Sequence, residues 1–294
     1  MIFLKLGLCL SGGGTKAFAH IGALKAFEES HVKFDYLAGT SSGSIVATLY
    51  ASGYQPEEIY DIFKKYARHI RYIDRRNLWN ILKYFFKTGE FRILGLNSGE
   101  KIYQLVNQYC AKKGITNINQ IKIPLVIPSV NVRDEDLYVF CSHKYDNLKL
   151  EDNIKYINDA NIGAVVEASC SYPGIFVPCT KFPNMELIDG GIEENVPWRE
   201  EKRIGAEKVV SVVFVNKSPD KCCNNVFEIL SKSFKILCNE LKRYELNGSD
   251  YLIKVDYTNS GLLNIRDSKE LYNEGYQKAK KFIHENITLL NIIS

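Results

Sequence analysis

The chain has 294 residues, 38 Lys and Arg against 34 Asp and Glu, and a net charge of +4. That balance does not suggest a nucleic-acid binder, which carries a more basic composition and a clustered patch. No apolar run reaches the ~18 residues of a membrane span. The eight cysteines, Cys222-Cys223 among them, show no framework spacing and read as free thiols of a reducing, cytoplasmic compartment.

Strand 3–10 comes first. No basic region precedes it and it runs straight into a glycine loop, so it reads as a core strand and not a signal. The loop is Ser11-Gly12-Gly13-Gly14-Thr15-Lys16, and helix 16–29 follows. Successive glycines let backbone amides converge on one anion. The helix N-terminus adds its dipole, and Lys16 adds a positive charge. Such a loop suits an oxyanion hole, where losing one donor costs about 3–4 kcal/mol of barrier. Gly12-x-Gly14-x-x-Ala17 also fits a dinucleotide fingerprint, G-x-G-x-x-G/A. That reading lacks its ribose-binding acid, because Asp35 stands at the start of the next strand and not at its end. A triphosphate loop needs Ser or Thr after the lysine, and Ala17 stands there.

Strand 34–38 leads into Gly39-Thr40-Ser41-Ser42-Gly43, a G-x-S-x-G pentapeptide, and then helix 42–52. A serine on such a strand-to-helix turn is held out of the sheet to meet a substrate. Gly39 and Gly43 avoid collisions with neighbouring backbone. Helices 56–69, 77–87 and 99–112 come next. The segment 62–92 holds nine Lys or Arg against two acids. Within it Leu78, Ile81, Leu82, Phe85 and Phe86 share one helical side, with Trp79 and Tyr84 near it. This pattern suits peripheral contact with an anionic membrane surface and a cover for the site. A helix with its stripe on the core explains it equally well.

Strands 124–131 and 136–142, helix 154–167 and strand 185–188 follow. The last ends in Asp189-Gly190-Gly191, an aspartate on a tight turn. Alone it is an Asx turn; beside the other two motifs it reads as a catalytic base. Helix 195–204, strand 208–215, helix 223–246, strand 251–256 and helix 267–285 complete the chain. This alternation predicts an α/β fold, a mostly parallel sheet flanked by helices on both faces, within a single domain over 1–294.

A serine hydroxyl needs a base. His143 and His284 follow Ser41 in the chain, and His20 lies one turn into the first helix. Their surroundings are a polar turn, a charged helix and a helix interior, so each reads as packed or solvated. A carboxylate can serve if burial raises its proton affinity.

The three motifs, in this order, resemble those of the patatin-like phospholipases. Ala168-Ser169-Cys170-Ser171-Tyr172-Pro173-Gly174-Ile175-Phe176-Val177-Pro178 is similar to that family's proline-rich segment, and Asn195-Val196-Pro197 to its continuation. The resemblance covers roughly residues 4 to 216. It implies a three-layer α/β/α acyl hydrolase with Ser41 as nucleophile and Asp189 as base. Gly12, Gly13 and Gly14 would form the oxyanion loop, with Lys16 in place of the family's basic residue. Gly190 and Gly191 would shape the turn. Ala17 stands where the family often has glycine, and Ser11 where many members have aspartate. The implied reaction uses no metal or organic cofactor. Its substrate would be a phospholipid, lysophospholipid or other fatty-acyl ester. A thioesterase, a small-ester esterase or a non-catalytic lipid-binding protein would keep the same motifs.

Overall fold

A computed structural model describes residues 4–69, 75–90, 93–145, 148, 151–216, 223–257 and 265–286. Residues 70–74 and 91–92 of the basic segment, and Cys222, lie outside the described residues, as does the start of the first expected strand.

Among the described residues, eight strands make one sheet: β1 (Leu6–Leu10), β2 (Tyr36–Gly39), β3 (Leu125–Asn131), β4 (Leu137–Cys141), β5 (Ile154–Ile157), β6 (Leu187–Asp189), β7 (Lys208–Asn216) and β8 (Tyr251–Tyr257). The order is β5-β4-β3-β2-β1-β7-β8, with β6 beside β3. From β1 the chain first builds toward β5, then returns to add β7 and β8 on the other side. The sheet is mostly parallel; β4 and β6 both run antiparallel to β3.

The helices are α1 (Phe18–Glu29), α2 (Ser42–Ala51), α3 (Pro56–His69), α4 (Arg75–Thr88), α5 (Glu100–Ala111), α6 (Ile162–Ser169), α7 (Trp198–Arg203), α8 (Val226–Leu246) and α9 (Ser268–Glu285). The two faces of the sheet are filled differently. Leu6, Leu8 and Leu10 of β1 point into a large core with Phe18, Leu24 and Phe27 of α1. Cys9 points the other way, into a smaller core with Val126, Val139, Val196, Ile204 and Val213. This alternation is the period-2 pattern of a strand buried on both faces. α1 and α9 cross closely: a Cβ built on Gly22 would lie 1.9 Å from the Tyr272 carbonyl oxygen, and one on Gly275 2.0 Å from that of Ala19. Only glycine leaves room for that approach.

One expected element is wrong. Residues 154–167 do not form a single helix; Ile154–Ile157 is strand β5, paired parallel to β4, and α6 begins at Ile162. Ile154, Ile157, Ile162, Val165 and Val166 mimic a helical stripe. The four residues Ile-Lys-Tyr-Ile are instead bound by the free edge of β4. Asn161 marks the true helix start, its side chain accepting the Ala164 N–H at 3.0 Å. The expected helix 195–204 is likewise shorter, because Asn195, Val196 and Pro197 run irregularly ahead of Trp198.

β3 brings distant pieces of chain together. β2 pairs with it in parallel at Leu125 and Val126, and β6 pairs antiparallel at Ser129 to Asn131. Pro128 falls between the two, where its missing N–H interrupts neither register. β2 therefore leaves β3 where the carboxyl end of β6 arrives. Leu10 also pairs with Gly39, so β1 and β2 end side by side. The glycine loop, the serine turn and the aspartate turn thus meet at one corner.

Candidate active site

Ser41 joins β2 to α2 with φ 53° and ψ −126°. A non-glycine residue held there is strained by about 1–3 kcal/mol, which the surrounding structure must hold in place. Gly43 does part of this: a Cβ on it would lie 2.2 Å from the Leu10 carbonyl oxygen. The Ser41 N–H donates to Ser169 Oγ at 3.1 Å, Ser44 Oγ donates to the Ser41 carbonyl at 2.6 Å, and Thr40 Oγ1 donates to the Glu194 carbonyl at 2.9 Å.

Asp189 ends β6 and is buried. Its Oδ1 accepts the Gly191 N–H at 2.8 Å. Its Oδ2 is buried and takes no hydrogen bond of full geometry from any described residue. Burial pushes the carboxyl up to about 7, against the lowering effect of the nearby Ser41 hydroxyl and the Gly191 amide. The Ser41 hydroxyl is close enough to act on the carboxylate, but the contact is loose, as is common before substrate binds.

The glycine loop lies beside this pair. A Cβ on Gly12 would meet Asn195 Oδ1 at 2.5 Å and Ser41 Cβ at 3.1 Å. The Gly12 N–H itself donates to the Asn195 carbonyl at 3.3 Å. Gly14 opens a short 3-10 turn that runs into α1. Lys16 turns toward β8, with Nζ 4.3 Å from the centroid of the Tyr257 ring. Burial, then the charges of Lys242 and Lys235, lower its pKa to about 7.

Several residues of this corner escaped the motif reading. His20 packs on Phe214, ring centroids 4.6 Å apart, and its Nε2 lies 2.8 Å from the Ser11 carbonyl oxygen. With a carbonyl as partner, that nitrogen is the donor. Burial holds its pKa down to about 4, so it braces the loop as a neutral ring. Cys170 sits among Ser41, Ser44 and Asp189, its thiol pushed well above the usual range first by burial and then by Asp189. Asn195 stands over both Gly12 and Gly191. Its N–H donates to Glu245 Oε1 of α8 at 2.8 Å. No spacing rule points to these three, although Cys170 and Asn195 stood within stretches similar to the family's. His143 bonds its neighbour Ser142 through Nδ1 at 2.8 Å.

The sequence profile of the patatin-like phospholipases matches residues 8–201. The chain belongs to the patatin-like phospholipase family. A lysophospholipase NTE1 of Meyerozyma guilliermondii is 27% identical over 246 residues, 80% of this patatin-like chain and 14% of the relative. The NTE1 of Eremothecium gossypii is 30% identical over 215 residues, 70% of this chain and 12% of the relative. The patatin-like chain thus spans only a small part of these fungal proteins. YqhO of Bacillus subtilis matches more evenly, 28% identical over 241 residues, 77% of this chain and 78% of that one. Among solved structures, VipD from Legionella pneumophila aligns with a TM-score of 0.52 at 15% identity, over 96% of this chain and 67% of that one. That likeness supports the patatin-like three-layer α/β/α fold.

Proposed function

We propose that this protein hydrolyses fatty-acyl esters of phospholipids or lysophospholipids through an acyl-serine intermediate. The observation that carries this reading is the buried Asp189, its Oδ2 unpartnered and its pKa near 7, facing Ser41 on its strained turn. Family membership and the lysophospholipase relatives support the substrate class.

Asp189 takes the Ser41 proton as Oγ attacks the ester carbonyl. Amides of the Gly12–Gly14 loop face the developing oxyanion; with the Gly12 N–H engaged by Asn195, those of Gly13 and Gly14 are the donors. Lys16 adds positive charge to the same loop when protonated. The protonated Asp189 returns its proton to the leaving alcohol. Water, deprotonated by Asp189, then attacks the acyl-serine, releases the fatty acid and regenerates Ser41. Cys170 and Tyr172, both under electrostatic influence of Asp189, wall the corner.

Lipid contact through the basic segment belongs to this proposal. α4 exposes Leu78, Trp79 and Phe86, with Lys83 and Lys87 beside them. Replacing Phe85 and Phe86 by serine is expected to weaken binding to anionic vesicles.

A fluorophosphonate probe should label Ser41, with the adduct located by mass spectrometry. Ser41→Ala and Asp189→Asn should each lower kcat/KM on a lysophospholipid at least about a thousandfold. Full turnover by either variant would refute the dyad. Turnover of acyl thioesters or short esters alone would redirect the substrate assignment.

A further inference from the structure

Helix α8 is built inside out. Val226, Ile229, Leu230, Ile236, Leu237, Leu241 and Tyr244 are all exposed. At 100° per residue they fall on one arc, so the apolar stripe faces solvent. The opposite side meets the catalytic corner through Lys242, Glu245, Phe234 and Cys238. Glu245 accepts the Asn195 N–H at 2.8 Å, and Lys242 donates to the Phe214 carbonyl at 2.6 Å. Phe234 rests on Tyr172, ring centroids 6.0 Å apart. Cys238 is close enough to Asp189 to feel its charge. A surface helix normally buries its apolar arc. This one is latched to the protein by the other arc, so the stripe is free to serve something outside.

We infer that the outer face of α8 docks on an anionic phospholipid surface and so brings that surface up to the corner that holds Ser41 and Asp189. The inference rests on the acyl-hydrolase reading above and gives it an entry side. Three observations select lipid. First, leaving aside Lys242 and Glu245, which both reach inward, α8 carries three basic residues, Lys232, Lys235 and Arg243, against Glu228 and Glu240. A helix with an apolar arc and a basic excess lies in a membrane interface. Second, the apolar rim continues across the corner. Leu96 donates its N–H to Ile175 and Val177 donates to Asn97, on the loop that holds Tyr172, and Ile93, Leu94 and Leu96 there are exposed too. Third, the stripe does not suit a second copy of this helix. Ser233 and Glu240 interrupt the narrow seam that a coiled coil needs, while Ile229 and Ile236 widen the arc beyond it.

The test compares wild type with the triple variant Leu230→Ser, Leu237→Ser, Leu241→Ser on vesicles of phosphatidylcholine and phosphatidylglycerol. Wild type should co-sediment, and the variant's partition coefficient should fall at least about tenfold, since three large side chains lose their apolar contact. Turnover of a soluble short-chain ester should stay unchanged. Equal partition of the two proteins would overturn the inference. So would a wild-type dimer that the substitutions dissociate, which would make the stripe a protein seam. A lowered urea midpoint in the variant would also overturn it, because the stripe would then be covered by the chain itself. Vesicle binding by a wild type that cleaves no ester would leave the docking face standing and remove the acyl-hydrolase reading alone.

Discussion

α1 and α8 reach the same corner, that of Ser41 and Asp189, from different elements and obey opposite rules. α1 follows the glycine loop and is buried almost all round, between the sheet and α9. α8 is nearly twice as long, yet Leu230, Leu237 and Leu241 stand in water while Lys242 and Glu245 reach inward. Both are rich in apolar residues. The difference teaches that a hydrophobic stripe reports how much surface must be covered and not which body covers it. α1 is covered by its own chain. α8 keeps its stripe outside because the corner beneath it offers polar partners, such as the Asn195 N–H and the Phe214 carbonyl.

The sharpest way to break this comparison is to damage the covering of α1. Gly275→Val would drive a side chain into the Ala19 backbone and is expected to destabilise the fold by about 3 kcal/mol. Leu24→Ala, at a fully buried position, should cost about 2–5 kcal/mol. Urea unfolding measures both. If either is silent, α1 is less tightly enclosed than its packing shows.

A second test probes the corner the two helices share. Asp189 must be ionised to accept the Ser41 proton, and its folded pKa is raised to about 7. kcat/KM should therefore rise with pH, with a midpoint near that value. The stability contribution runs the other way: protonation of this raised group favours the folded state at low pH, and that contribution is lost as pH climbs through 7. A flat activity profile between pH 5 and 9 would remove Asp189 as the base.

The smallest effect belongs to α8. Leu237 is 63% exposed. Leu237→Ala should change unfolding free energy by no more than about 0.5 kcal/mol. The contrast with Leu24→Ala, the same truncation on the other helix, is what sharpens the comparison. A large loss at position 237 would erase it.

Much of the fold was legible in the chain. The runs that became β1, β2, β7 and β8 are short, apolar and bounded by turn residues, and each formed near its expected place. The error at 154–167 arose because Ile154 and Ile157, three apart, and Ile162 and Val166, four apart, fit a helix as well as a strand followed by a helix; only the free edge of β4 decides. The motifs marked Ser41, Asp189 and the glycines because tight turns demand particular residue types. His20, Cys170 and Asn195 carried no such mark, since ordinary side chains become part of a site only through what they touch.

Local chemistry alone fixed where the chain turns sharply, because a close backbone approach admits glycine and little else. It also fixed how much surface needs covering, because apolar area sets that demand. Tertiary structure decided that β2 and β6 end against the same stretch of β3, which raises the proton affinity of Asp189 by burial and sets it before Ser41. It decided as well which side of α8 faces inward. Both depend on contacts between residues far apart in the chain, and no local pattern encodes them.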